Sequence, residues 1–90
     1  MTREFVHTSQ FKRDFRLRVR SAKTEAALTD VLYRLQTGTA FEPHHRDHPL
    51  KGAWKGIRDC HVQPDLLLLY ELRGHLVILR RLGSHSDLFG

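Results

Sequence analysis

The feature that most constrains this chain is the run LLLLYEL at residues 66–72. Its side chains are apolar at both odd and even positions, a pattern typical of a strand at the centre of a sheet. A turn at residues 63–65 precedes the run, because proline fixes φ and aspartate can bond its own backbone. Residues 73–74 are predicted to form a two-residue hairpin turn into a further strand at residues 75–82, which Gly83 ends. Residues 83–90, GSHSDLFG, are then left as a C-terminal tail.

Residues 56–62 are predicted to form another strand, whose two faces differ in chemistry. Successive side chains of a strand point to opposite faces, so Asp59 and His61 share one face while Cys60 and Val62 share the other. If helices cover the face of Cys60, the aspartate and the histidine lie together on the open face of the sheet.

Two amphipathic helices are predicted in the first half of the chain. The first begins at Thr8 or Ser9 and runs to about residue 20, because apolar residues recur at every fourth position from Phe11. The second covers residues 24–36, where leucine and valine follow the i, i+3, i+4, i+7 pattern. A short connection makes them a hairpin, and residues 37–49 are predicted to form a loop. The predicted fold class is α+β, a compact domain with an N-terminal helical hairpin packed on an antiparallel β-sheet.

Composition limits the class of protein further. Ninety residues predict a single domain spanning residues 1–90. Fifteen lysine and arginine residues against ten acidic ones give a formal charge of +5, which favours polyanionic partners. Cys60 is the only cysteine, which excludes an internal disulfide framework and indicates the cytoplasm. The sequence shows neither a signal-peptide pattern nor an apolar run of membrane-spanning length, so no membrane association is expected.

Most of the excess positive charge lies in the first half of the chain. At about 100° per residue, five basic side chains fall on nearly one face of the first helix and its continuation. They are Lys12, Arg13, Arg16, Arg20 and Lys23. This face is predicted to bind phosphates of RNA, together with Arg80 and Arg81. A solvated helix face without a binding role is the alternative interpretation.

The segment from His48 to the end contains an unusual set of polar residues among apolar ones. The set consists of His48, Arg58, Asp59, His61, Asp65, Arg80, Arg81 and His85. It suits RNA cleavage by transesterification, in which imidazoles act as base and acid and arginines stabilise the charge on the phosphorane. The histidines are the predicted acid–base groups, and Arg58, Arg80 or Arg81 the predicted charge stabilisers. Arg58 is the weakest of these, because it points to the face opposite His61.

A metal site is the other chemistry that this set could support. His44 and His48 are spaced i, i+4, and nearby aspartate and histidine side chains could add ligands. Pro43 and Pro49 argue against the helix that this spacing requires, so neither a metal nor any other cofactor is predicted.

The segments HPLKGAWKGIRDCHVQPDLLLLYEL and LRRLGSHSDLF resemble the toxins of bacterial type II toxin–antitoxin modules, specifically the YafQ branch of the RelE superfamily. Upstream, FKRDFRLR and the leucine-striped helix resemble the same family, so the resemblance covers essentially the whole chain. It implies a compact RelE-like fold and a ribosome-dependent mRNA endonuclease that acts in the decoding site. It also implies a cognate antitoxin of the DinJ type, which wraps the toxin and represses their shared operon, so that operator DNA is bound only through the complex.

The resemblance also assigns residues to the site. The family's functional positions match His48, Asp59, His61, Asp65, His85 and Phe89. It implies that His48 is a base, that His85 is an acid, that Asp65 orients an imidazole and that Phe89 stacks on or positions a nucleobase. The sequence alone does not separate base from acid, since either histidine could serve. For Phe89, the alternative is a hydrophobic plug at the sheet edge. Two further alternatives for the whole chain stay open: a non-catalytic RNA- or DNA-binding module that uses the first helix, and a relative that retains only antitoxin binding.

Overall fold

The computed structural model describes residues 2–90, whose strands form one five-stranded sheet. The strands are β1 (Glu4–His7), β2 (His48–Pro49), β3 (Arg58–Gln63), β4 (Leu66–Arg73) and β5 (Leu76–Gly83). Their order across the sheet is β1-β5-β4-β3-β2. Neighbours from β2 to β5 are antiparallel, whereas β1 runs parallel to β5. The α+β class is confirmed, and the sheet is mixed rather than wholly antiparallel.

Two helices precede the central hairpin, and side-chain caps fix where each begins. Helix α1 (Ser9–Arg18) starts after Thr8, whose hydroxyl accepts the N–H of Phe11. Helix α2 (Ala22–Thr37) is capped by Ser21 and ends at Gly38, which has the left-handed φ of 79° that favours glycine. The first helix is therefore shorter than predicted. Arg20 lies in the connection between the helices, and Lys23 lies on α2.

Both helices pack on one face of the sheet and bury its core. Their apolar side chains meet those of β3, β4 and β5 that point to the same side. The buried members of this cluster are Phe11, Leu28, Val31, Leu35, Cys60, Val62, Leu66, Leu68, Tyr70, Val77, Leu79 and Leu82. On the opposite face, a smaller cluster joins Ile57, Leu67, Leu69 and Leu88. β4 is thus apolar on both faces, as its sequence predicts.

Two features of the second half differ from the sequence predictions. The hairpin turn lies one residue later, at Gly74 and His75, because Arg73 pairs with Leu76. Gly74, with a φ of 59°, takes the first central position of the turn, where positive φ is required. The predicted C-terminal tail instead contains a short helix, α3 (His85–Phe89).

Helix α3 forms because its N-terminus is capped by its own side chains. The hydroxyl of Ser84 accepts the N–H of Asp87, and the Asp87 carboxylate accepts the N–H of Ser84. Such a reciprocal capping box satisfies two otherwise unpaired donors. Leu88 then buries its side chain against Leu67 and Leu69.

The predicted loop at 37–49 is partly ordered as well: Pro43–His45 form a 3-10 turn and His48–Pro49 form β2. Within residues 2–90, no helix is both long and apolar enough to cross a membrane.

Candidate active site

The candidate site lies on the face of the sheet that α1 and α2 leave uncovered. His48 on β2, Asp59 on β3 and Leu69 on β4 are consecutive partners across the sheet, and His61 pairs with Leu67. The predicted placement of Asp59 and His61 on one face is confirmed, because Leu67 and Leu69 belong to the small cluster opposite the helices.

The shortest acid–base contact of the site joins Asp65 and His85. Asp65 Oδ1 lies 2.7 Å from His85 Nδ1 and also accepts the backbone N–H of His85 at 3.1 Å. These hydrogen bonds to His85 lower the pKa of Asp65, so it is ionised near neutral pH. An ionised carboxylate accepts only, so the Nδ1 atom of His85 carries a proton and Nε2 is left for a substrate.

A second pair joins His48 to Asp59. His48 Nδ1 lies 2.6 Å from the carbonyl oxygen of Arg46, so Nδ1 carries the proton and neutral His48 has a free lone pair at Nε2. That Nε2 atom lies 3.8 Å from Asp59 Oδ2. Burial raises the pKa of Asp59, and the neighbouring histidines oppose this rise. An imidazole with a free Nε2 is the form that can accept a proton.

His61 lies between these two pairs. Its ring centroid is 5.5 Å from that of His85. Burial lowers the pKa of His61, and the positive charges of His85 and Arg46 lower it further, whereas Asp59 raises it. His61 Nδ1 and Asp59 Oδ1 are buried, and neither has a hydrogen-bond partner among residues 2–90. Buried polar atoms without partners are costly and concentrate where function requires them.

The segment that carries His48 is anchored on the other side of the sheet. Asp47 accepts a hydrogen bond from the hydroxyl of Tyr70, and its Oδ2 lies 2.8 Å from Arg58 Nη2. We call these three residues the Asp47 clamp. Arg58 therefore holds Asp47 rather than facing the histidines, which agrees with its predicted direction. The clamp fixes the backbone on which Arg46 and His48 are presented.

The other two predicted charge stabilisers are paired with carboxylates. Arg81 Nε donates to Asp14 Oδ2 at 2.7 Å, and Asp14 also accepts the N–H of Leu82. Arg80 lies 3.9 Å from Glu71. The charge of Arg81 is therefore compensated within the chain, whereas Glu71 also pairs with Arg73 at 2.6 Å and offsets only part of the charge of Arg80.

The predicted basic face does not form one continuous helical surface. Its five side chains are all exposed, but they occupy α1, the connection and α2. Lys12 and Arg16 border an apolar cavity of about 330 Å³ with Phe11, Phe15 and Leu32. Lys23 instead lines a cavity of about 560 Å³ that includes His61 and Asp65. Lys23 is thus the member that the structure brings to the candidate site.

Phe89 lies one helical turn after His85 on α3, and 43 % of its surface is exposed. Its ring meets the edge of Trp54 at a centroid distance of 5.8 Å. Leu88, not Phe89, fills the apolar cluster beneath the helix. The alternative of a hydrophobic plug therefore applies to Leu88, and the ring of Phe89 stays accessible.

Sequence reasoning missed Arg46. It lines a cavity of about 390 Å³ together with His44, His61, Pro64 and His85. The only available signal was its position two residues before His48. His45, next to it, is buried and accepts the N–H of Glu42 at Nδ1, 3.0 Å away. Within residues 2–90, no group of three or more histidine, cysteine, aspartate or glutamate side chains is arranged to hold a metal ion.

Comparison with known proteins gives the class of this protein. A family model described as "Bacterial toxin of type II toxin-antitoxin system, YafQ" matches residues 3–90. The mRNA interferase toxin YafQ of Escherichia coli K12 is 37 % identical over 89 residues, which cover 98 % of this chain and 97 % of that protein. The chain belongs to the YafQ family of type II toxins.

Solved structures agree with this assignment. A copper-bound mutant toxin from Helicobacter pylori superposes with a TM-score of 0.89 at 36 % identity, covering 99 % of this chain and 100 % of that one. The toxin of the E. coli DinJ–YafQ toxin–antitoxin complex gives 0.85 at 33 % identity, with both chains covered completely. The family resemblance read from the sequence is confirmed.

Proposed function

We propose that this chain is a ribosome-dependent endoribonuclease that cleaves mRNA in the ribosomal A site by metal-independent attack of the 2′-hydroxyl group. The observation that carries the proposal is the contact of 2.7 Å between Asp65 and His85 beside an imidazole, His48, with a free Nε2. The E. coli relative, an mRNA interferase toxin, supports the same class of substrate.

The proposed reaction uses two histidines with different roles. His48 Nε2 removes the proton of the 2′-hydroxyl, and the resulting oxygen attacks the adjacent phosphorus. The bond from phosphorus to the 5′-oxygen breaks, and His85 Nε2–H protonates that oxygen. The carboxylate of Asp65 stabilises the imidazolium form of His85, which is the form that a general acid requires. The products are a 2′,3′-cyclic phosphate and a 5′-hydroxyl.

The remaining residues of the site are proposed to shape it. Asp59 orients His48 and His61 through its charge, and neutral His61 lies where it can bind the reacting group. Phe89 is proposed to stack on a nucleobase, since its ring is accessible and braced by Trp54. These residues lie on the open face of the sheet, where an RNA strand has access to them.

The proposed partners follow from charge and from the family. Exposed Lys12, Arg13 and Arg16 are proposed to bind ribosomal RNA together with Arg20 and Lys23, each phosphate contact adding to the salt dependence of binding. Arg80 and Arg81 contribute only where RNA competes with their carboxylates. A DinJ-like antitoxin in the cytoplasm is the proposed neutralising partner, as a complex of that kind exists for the E. coli relative. Operator DNA is then bound only through that complex.

The test is primer extension on ribosome-bound message, with chemical analysis of the product ends. The wild-type chain should leave a cyclic phosphate and a 5′-hydroxyl with or without EDTA, and His85→Gln should lower the cleavage rate by at least about 100-fold. A 5′-phosphate end would contradict the mechanism. Growth arrest that persists in His85→Gln would favour a non-catalytic RNA-binding module, and charge reversal of Lys12, Arg13 and Arg16 would then abolish it.

A further inference from the structure

The proposed reaction places an anion in a site that already contains two carboxylates. Asp65 is ionised because its hydrogen bonds to His85 lower its pKa, and Asp59 lies opposite His48. A phosphodiester adds one negative charge, and a further charge develops as the 2′-oxygen attacks. The proposed imidazolium of His85 is already paired with Asp65, and a neutral imidazole offsets no charge, so the site needs a positive group that is not already paired.

The three arginines that sequence reasoning selected do not meet this need, and Arg80 lines a separate cavity with Thr8 and Trp54 that contains none of the site histidines. Arg58 is held by Asp47 and points away from the histidines, and Arg81 is held by Asp14. By contrast, no carboxylate oxygen in residues 2–90 lies within ion-pairing distance of Arg46. Arg46 lines the cavity of about 390 Å³ together with His61 and His85, and among residues 2–90 its guanidinium is the unpaired positive charge there.

The backbone at Arg46 is set up to present this side chain. Its φ of 47° lies in the left-handed region, which is strained for a residue other than glycine. Both neighbours hold it there: His45 is buried and bonded to Glu42, and Asp47 is bound by Arg58 and Tyr70. The Arg46 carbonyl, in turn, accepts the Nδ1–H of His48. The backbone position of the arginine and the ring of the proposed base are thus fixed by a single turn.

We propose that Arg46 binds the phosphate that is cleaved and stabilises the charge that develops on it, an inference that rests on the proposed function. Its N–H groups donate to the non-bridging oxygens while His48 removes the 2′-proton and His85 protonates the leaving 5′-oxygen. A guanidinium suits this task, since its planar donors match two phosphate oxygens at once.

The test compares four variants under single-turnover conditions on ribosome-bound message. Arg46→Ala is expected to lower the cleavage rate about 100-fold, the loss typical of one donor to a developing oxyanion. Arg46→Lys retains the positive charge but not the paired planar donors of the guanidinium, so its cleavage rate should fall less than that of Arg46→Ala. Arg46→Gly removes the side chain and relieves the left-handed backbone, so it should be as slow as Arg46→Ala with no loss of thermal stability. Arg73→Ala is the control. Arg73 lies at the end of β4 that is farther from Asp65, so this variant loses one positive charge outside the site and its cleavage rate should stay within about twofold of the wild type.

A second measurement separates binding from catalysis. A message with a 2′-deoxy nucleotide at the cleavage position cannot react, so its affinity for the ribosome-bound toxin reports ground-state contacts alone. Arg46→Ala should weaken this affinity less than it slows cleavage, because the interaction grows as charge develops. Cleavage by Arg46→Ala and Arg46→Gly within about threefold of the wild type would overturn the inference. Failure of the wild type itself to yield a cyclic phosphate would instead contradict the proposed function.

Discussion

Replacing Tyr70 by phenylalanine removes one hydroxyl from the Asp47 clamp and leaves the ring in place. Tyr70 is only 1 % exposed, and its hydroxyl donates to an Asp47 oxygen while Arg58 binds the other. A hydrogen bond to a charged group contributes about 1.5–3 kcal/mol. Because Arg58 still partners Asp47 in the variant, we expect the lower part of that range, about 1.5–2 kcal/mol. For a domain of this size, the melting temperature should fall by roughly 5–15 °C.

Urea and thermal unfolding measure this loss, and Tyr33→Phe is the matched control because its ring is 59 % exposed. A double-mutant cycle with Asp47→Ala, which removes the acceptor oxygen, assigns the loss to the contact itself. The cleavage rate should also fall, by about tenfold or more, since the clamp holds the turn that carries His48. If Tyr70→Phe and Tyr33→Phe differ by less than about 0.5 kcal/mol, the clamp does not stabilise the fold as argued.

Two further predictions concern charge and pH. Burial raises the pKa of Asp59 in the folded chain, so the folded state binds more protons than the unfolded state at a pH between the unfolded and folded pKa values of this carboxyl, and stability falls as pH rises through that interval. Asp59→Asn should therefore raise the urea midpoint at pH 7 while it slows cleavage. A lower midpoint would refute this reasoning. Burial lowers the pKa of His45 and of His61, so the unfolded state binds more protons as pH falls below about 6.5 and stability should decrease there. Urea midpoints between pH 7.5 and 5.5 measure the slope, which His45→Asn should reduce; an unchanged slope would show that His45 does not titrate as argued.

Sequence periodicity predicted the parts of the fold that depend on burial. The two apolar faces of β4 and the shared face of Asp59 and His61 are both local patterns of period two, and both are confirmed. The helices followed from their apolar stripes for the same reason. What periodicity did not reveal was α3, since a five-residue helix is too short for a stripe and is stabilised by the cap of Ser84 and Asp87.

Contacts between polar side chains that are far apart in the sequence could not be predicted from local patterns either. Arg81 and Asp14 are 67 positions apart, and nothing in either neighbourhood marks them as partners. The same holds for Asp47 and Tyr70, which are 23 positions apart. The segment that contains Arg58, Asp59 and Tyr70 carries the family resemblance, and both Arg58 and Asp59 were predicted for the site. In the structure it divides between the two faces of the sheet, with Asp59 in the candidate site and the other two behind it.

The contact between Asp65 and His85 depends on a register shift between β4 and β5 that no sequence pattern predicts. At the hairpin turn, Arg73 pairs with Leu76, and that register, continued along the strands, would place Ser84 opposite Asp65. A register shift between Leu69 and Tyr70 moves β5 by one residue, so that Leu67 pairs with Gly83. β5 ends at Gly83, and His85 follows two residues later as the first residue of α3, where it meets Asp65 in the turn before β4. Because a slip of one residue exchanges the faces of a strand, the bulge selects which of these neighbours meets the carboxylate. The acid–base pair of the site therefore depends on the register shift and on the start of α3, and not on the spacing of its residues in the sequence.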